Sequence, residues 1–387
     1  MLRSSAAVPS VLFVVSMMAC AGDADLGAGI TRADSAGVKI ITSGARDTVL
    51  PWTFDEIDVL RDSLGEPYLF TGVSRQRVLT DRAGRTYVLT RDPSIVRFGR
   101  DGKEERVFGR KGGGPGEFEF PTAIGAKSDT IWVRDNVRGV LVRFLPDLSP
   151  TTDQRLDGAL DGTVGLYYRT GGLWTKRHDS SDSAVVIALF ADTLGSPPLQ
   201  QVRLRPKPVR FKCMGMPFGT PLFAPELPVA VAGARLLVPG PSGYELWLYE
   251  GPRAVGSVRR PLAPRAPTAD DVRALYPNGM EWKFSFGDRM TTCVTPIDEV
   301  SAQQGLAESY PFAFDVALLS DGTMWVLRTP TAAAASVVDV FGPDGVYAGT
   351  MTGRGLPLAR MPNGELLFAR EDAESGGTVI QRVQVAR

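Results

Sequence analysis

The segment Asp129-Thr130-Ile131-Trp132-Val133-Arg134-Asp135-Asn136 decides the fold. Upstream of it lies Phe108-Gly109-Arg110-Lys111-Gly112-Gly113-Gly114-Pro115-Gly116-Glu117-Phe118-Glu119-Phe120-Pro121, and downstream Val140-Leu141-Val142-Arg143-Phe144-Leu145-Pro146-Asp147. The segment is a turn residue, two further positions, a large apolar residue and a short β-rich run. The same pattern returns at Gly84-Arg85-Thr86-Tyr87, Gly171-Gly172-Leu173-Trp174, Gly233-Ala234-Arg235-Leu236, Gly322-Thr323-Met324-Trp325 and Gly364-Glu365-Leu366-Leu367. Between the large apolar positions 87, 132, 174, 236, 325 and 367 the steps are 45, 42, 62, 89 and 42 residues. Six copies of one unit are therefore present.

Three of the steps match the ~40–45-residue period of four-stranded propeller blades. The other two carry about 20 and about 47 further residues on that period, which places insertions at about 207–226 and 263–309. A second run in the units ends in Asp-Gly or Pro-Asp: Ile95-Val96-Arg97-Phe98 before Asp101-Gly102, Val140 to Asp147, and Val337-Val338-Asp339-Val340-Phe341 before Asp344-Gly345. Such runs are hairpin chemistry. Short strands joined by tight turns at a fixed period predict an all-β fold, a six-bladed β-propeller over residues 36–387. The one helix signal is Thr268 to Tyr276, where Thr268 can cap and Asp270 and Asp271 complement the dipole. A propeller closes by pairing its ends. Ala36 to Thr42 together with Phe54 to Leu60 are expected to supply the closing strands, against Thr378 to Val385.

Arg97-Phe98 with Asp101-Gly102, the Phe108 to Ile124 stretch and Asp129 to Asn136 together resemble the NHL repeat. One copy is good and five are degenerate, so the match is specific over about 50 residues and patterned over about 300. The resemblance implies a six-bladed propeller. With its leader the chain is similar to bacterial propeller lipoproteins, many without an assigned function.

That leader is Met1-Leu2-Arg3, an apolar stretch from Ala6 to Met18, then Ala19-Cys20-Ala21-Gly22. One basic residue, a short apolar core and small residues at its end mark a secretory signal, too short to span a bilayer comfortably. Met17-Met18-Ala19-Cys20 resembles the bacterial lipobox, which implies a signal peptide over 1–19 and lipidation of Cys20. Leu is usual where Met17 stands, and cleavage after Ala21 is the alternative. Residues 20–35 read as a flexible tether. The expected address is the cell envelope, lipid-anchored at the outer membrane or facing the periplasm, with the N-terminal lipid as the only membrane contact.

The 387 residues balance 43 Lys and Arg against 43 Asp and Glu, which argues against nucleic acid and anionic membrane as partners. With 43% hydrophobic residues the chain is not disordered. A single histidine, His178, excludes multi-histidine metal sites and gives a Ser-His-acid triad little support. No G-x-S-x-G elbow is present. Gly112 to Gly116 lacks the Lys-Ser/Thr and helix N-terminus of a phosphate loop, and reads as an inter-blade turn.

After Cys20 the only cysteines are Cys213 and Cys293, one in each insertion. In an exported chain they are expected to form a disulfide, closing a loop of about 80 residues for about 4 kcal/mol in the chain-entropy model. A redox-active or metal-binding pair is the rival, and nothing nearby supplies further ligands. Aromatic and Met side chains in the insertions (Phe211, Met214, Met216, Phe218, Trp282, Phe284, Phe286) are expected to cover the core; lining a groove is the alternative.

Five of the six repeat strands end in arginine: Arg91, Arg134, Arg177, Arg328 and Arg370. They are expected to ring one face, where guanidinium groups hold carboxylate or phosphate. Salt bridges between blades are the rival, supported by the adjacent Asp92, Asp135 and Glu371. The leading functional expectation is a monomeric, non-enzymatic binding or scaffold module for an envelope protein, peptide or glycan. No catalytic residue, cofactor or metal is assigned. The alternative is a metal-dependent hydrolase or lyase of the six-bladed lactonase type, with carboxylates converging on the channel mouth.

Overall fold

The computed structural model describes residues 29–127, 129–155, four strands between 163 and 204, 222–223, 228–286 apart from 234, 241–242 and 252, 289–329, and 336–386. Six sheets follow one another along these residues, each built on four antiparallel strands in meander order, and one of them gains two N-terminal strands at its edge. Sheet I spans 78–108, sheet II 121–155, sheet III 163–204, sheet IV 230–260 and sheet V 313–352. Sheet VI takes three strands from the C-terminal end, 359–386, and its fourth from Thr53–Val59. The architecture is a β-propeller.

In every sheet the repeat's large apolar residue lies on the second strand: Thr86–Leu89, Thr130–Asp135, Gly172–Asp179, Arg235–Pro239, Met324–Arg328 and Leu366–Glu371. The turn residue before it has a local cause. Gly84, Gly233, Gly322 and Gly364 adopt φ of 82°, 62°, 87° and 94°, which a side chain resists. Asp81 accepts from the backbone N–H groups of Ala83 and Arg85, so its carboxylate builds the same hairpin.

The core lies in the seams between sheets. Leu79, Tyr87 and Leu89 of sheet I meet Ile131, Val133 and Phe144 of sheet II. Phe118, fully buried, plugs this seam against Phe144 at 5.9 Å. The glycine-rich 112–116 segment is the turn that delivers it, with Glu117 accepting from the Gly114 N–H. Burying a side chain of that size stabilises by about 3 kcal/mol.

Closure uses one of the two predicted segments. Thr53–Val59 pairs antiparallel with Thr378–Ala386 as the fourth strand of sheet VI. Val38–Thr42 instead pairs parallel with Arg253–Arg260, the outer strand of sheet IV. A four-stranded sheet has one closing position, so the earlier strand covers the open edge of sheet IV. Thr31–Ser35, within the expected tether, is itself a strand antiparallel to Val38–Thr42. Between them and the closing strand, residues 43–50 strap across sheet V: Leu50 N–H donates to Thr350 O at 2.9 Å, and Thr350 N–H to Thr48 O at 2.7 Å.

Buried Asp339 holds that strap through two arginines. Arg328 donates to it at 2.7 and 2.8 Å, Arg260 at 3.2 Å and the Tyr244 hydroxyl at 2.6 Å. The same arginines reach Asp47 on the strap at 2.6 and 2.9 Å. Two guanidiniums face two carboxylates, so the cluster is neutral. Burial pushes the Tyr244 hydroxyl well up, and it stays a donor.

The second insertion is more than the predicted helix. It forms α1 (Ala269–Leu275), the hairpin Met280–Phe286 with Arg289–Thr295, and α2 (Ile297–Gln304). Thr268 caps α1 reciprocally with Asp271. Leu222 of the first insertion pairs with Leu306 of the second, donating to Gly305 O and accepting from Ala307 N–H. Leu222, Val272, Met280 and Val300 form a small core there.

Asp339→Ala is expected to destabilise the fold by about 3–5 kcal/mol, because it strands two guanidiniums against a buried void. An unchanged urea midpoint would contradict this. The Arg328 and Arg260 side chains also hold the Asp47 carboxyl below its ordinary pKa of 3.8, the Arg328 hydrogen bond most strongly. That contribution is complete above the ordinary value and fades as pH falls through the lowered one. The difference in melting temperature between wild type and Asp47→Asn should be constant near neutrality and close as pH drops below about 4.

Candidate functional site

Strand direction divides the ring into two faces. First and third strands start on one face, and second and fourth strands end there. Both insertions rise from this face, as does the loop 109–120. The opposite face carries the first-to-second hairpins at 81–85, 319–323 and 361–365.

The five arginines do lie at the ends of second strands, on the insertion face, but their environments differ. Arg91 and Arg370 are exposed. Arg328 is committed to Asp339 of its own sheet and to Asp47 of the strap. The side chains of Arg177 and His178 lie outside the described residues. Arg134 is 4% exposed, and its Nη2 donates to Asn136 Oδ1 at 2.7 Å while Nε and Nη1 find no partner among the described residues. Burial pushes its pKa down. The neighbouring Asp135 gives it no countercharge, because its carboxylate accepts from the backbone N–H groups of Glu119, Phe120, Val137 and Arg138. The four described arginines are therefore not equivalent: Arg91 and Arg370 are exposed, Arg328 is ion-paired and Arg134 is buried.

Cys20 and Cys213 lie outside the described residues. Cys293 sits on Arg289–Thr295, 5% exposed, and is disulfide-bonded. Among the described residues no three of His, Cys, Asp and Glu are grouped to hold a metal ion.

Large apolar side chains more than half exposed on the insertion face and its insertion include Phe120, Val137, Leu275, Met290, Val294 and Phe314. Phe120 and Val137 flank the Arg134 hairpin. Phe314 sits at the start of the first strand of sheet V, and the other three belong to the second insertion.

Inside the ring, a cavity of about 480 Å³ runs along the inner strands of sheets I, II, IV, V and VI. Toward the insertion face it meets Arg75 and Gln76, and Arg75 ion-pairs across the ring with Asp315 of sheet V. At the hairpin face it is lined by Asp81, Arg82, Ser320 and Arg360. Ile124, Val231, Leu318 and Leu358 form its wall. Asp81 is already engaged, accepting from Arg85 Nε at 2.7 Å and the Tyr87 hydroxyl at 3.2 Å. The repeat pattern gave no reason to select Arg82 or Arg360. They occupy variable hairpin positions, and only closure of the ring brings them to one mouth.

With this geometry the chain is, as a class, a β-propeller, interrupted on one face by a second insertion that forms two helices and a hairpin. No protein-family model and no curated protein sequence matches it. Solved structures do. A Bacteroides fragilis protein of inferred export superposes with a TM-score of 0.56 at 10% identity, over 90% of this chain and 100% of that one. A DUF4221-family member from Bacteroides vulgatus gives 0.43 at 9% identity, over 88% and 98%. Virginiamycin B lyase from Staphylococcus aureus gives 0.37 at 10% identity, over 86% and 99%. The likeness at such identities is one of fold.

A buried cation with two unpartnered nitrogens does not support the fold. Arg134→Met, which keeps the stem and removes the charge, is expected to leave stability unchanged or raise it by about 1 kcal/mol. Chemical denaturation reads this directly, and a loss of 2 kcal/mol or more would show that Arg134 is structurally required.

Proposed function

We propose that this protein is an exported, non-enzymatic binding module, a six-bladed propeller of the NHL type that docks a partner protein on its insertion face. The observation that carries the reading is the set of six large apolar side chains exposed on that face and its insertion. A solvent-facing group of this kind fits a protein contact better than nucleic acid, which the zero net charge also disfavours. The ring supplies rigidity, and the Leu222–Leu306 bridge joins the two insertions, so a docking surface there is held in place before binding.

Export is supported by the leader sequence and by the disulfide at Cys293. Its proposed partner is Cys213, the cysteine of the other insertion. Lipidation at Cys20 would then hold the ring to the envelope through the segment before Thr31. The test is affinity capture of the mature protein from its own envelope fraction, read by mass spectrometry. One dominant partner is expected, lost with Met290→Glu/Val294→Glu and kept with Val107→Glu, whose side chain lies in sheet I, away from the insertion. A partner retained by the double variant would refute the assigned face. Reduction should also release Cys213 and Cys293 together to a thiol reagent; free thiols before reduction would refute their pairing.

A further inference from the structure

The geometry points to a second, independent site: the axial cavity binds a small organic carboxylate through the hairpin-face mouth. Its walls and its charges both select for this. The cavity, about 480 Å³, falls in the range of small-molecule sites and has an apolar wall that includes Ile124, Val231 and Leu318.

Among the described residues, charge at the cavity is unbalanced after the pairings are counted. Arg75 is matched by Asp315 and Asp81 by Arg85. Arg360 shares Asp321 through Nη1 at 3.1 Å. Arg82, exposed at the mouth, forms no ion pair and no hydrogen bond among the described residues. Its hairpin abuts that of Arg360, because Thr80 Oγ1 donates to Arg360 O at 3.2 Å. Two guanidiniums on adjoining hairpins therefore face one mouth, where Asp81 is taken up by Arg85 and Asp321 by Arg360, which leaves Arg82 without a countercharge among the described residues. Low-dielectric walls focus such an excess onto an entering anion. The exposed Ser320 hydroxyl adds a donor at the same rim. A carboxylate is placed at Arg82 and Arg360, and its apolar body runs inward along Ile124, Val231 and Leu318. Bare phosphate would leave that wall in contact with water, so an organic anion is favoured.

Calorimetric titration of the full mature protein decides the matter, using acetate, phenylacetate, 4-phenylbutyrate, 4-phenylbutanol and inorganic phosphate as probes. Affinity should rise from acetate to 4-phenylbutyrate at one site per chain, and 4-phenylbutanol should bind at least about tenfold more weakly. Arg82→Gln and Arg360→Gln should each weaken 4-phenylbutyrate by about tenfold or more, and Arg370→Gln on the other face should leave it unchanged. The surface position of Arg82 makes its variant a safe test of folding. Equal binding of the alcohol, tighter binding of phosphate than of any carboxylate, indifference to Arg82→Gln, or no carboxylate binding at millimolar concentration would each overturn the site. None of these outcomes touches the insertion face, so this proposal and the docking proposal fail separately.

Discussion

Everything in this ring depends on one pairing, that of Thr53–Val59 with Thr378–Ala386. The seams between sheets bury side chains only because each sheet has a neighbour on both sides. Without the fourth strand, sheet VI would present an unpaired edge. The aromatic pair Phe54–Phe368, 6.1 Å apart and edge-on, binds the closing strand to its sheet. Trp52 meets Trp325 of sheet V at 6.1 Å, so the same short segment secures the next seam.

The closing strand is itself held at a distance. From the edge of sheet IV the chain crosses sheet V before it enters sheet VI, so the N-terminal segment touches three consecutive sheets. Asp339 sits under that crossing with Arg260 and Arg328. Arg260 also stacks over the Tyr347 ring at 3.8 Å, which gives the buried guanidinium a second favourable face. Charge inside a seam is tolerable here because both carboxylates and both guanidiniums find hydrogen-bond partners. Arg134 shows the opposite case on the same face.

The repeat was legible because its two signals are local. A glycine forced to positive φ and a large apolar residue three positions on mark the inner hairpin wherever they recur. Thr268 and Asp271 were legible for the same reason, since a cap is decided within four residues. The hairpin Met280–Phe286 with Arg289–Thr295 and the helix α2 carry no such punctuation; α2 begins after Pro296 without a side-chain cap. Val38–Thr42 reads as a strand, but nothing in it distinguishes sheet IV from sheet VI. The arginines differ because identical positions at strand ends acquire different neighbours: Arg328 meets Asp339 of its own sheet and Asp47 of the strap, whereas Arg134 meets no carboxylate among the described residues. One clue was visible, an aspartate inside the apolar run Val337 to Phe341, where only a buried partner would make it tolerable. The axial cavity left no trace in the sequence, since its described lining is drawn from five separate sheets.

Closure also sets an order in time. The Gln381 amide donates to Glu56 across 325 residues of chain, and contacts so distant cannot form until almost all of the polypeptide is available. Sheets I to V are built from local hairpins and can assemble as they emerge. The ring itself is a late event, waiting on its final strand while the first remains open.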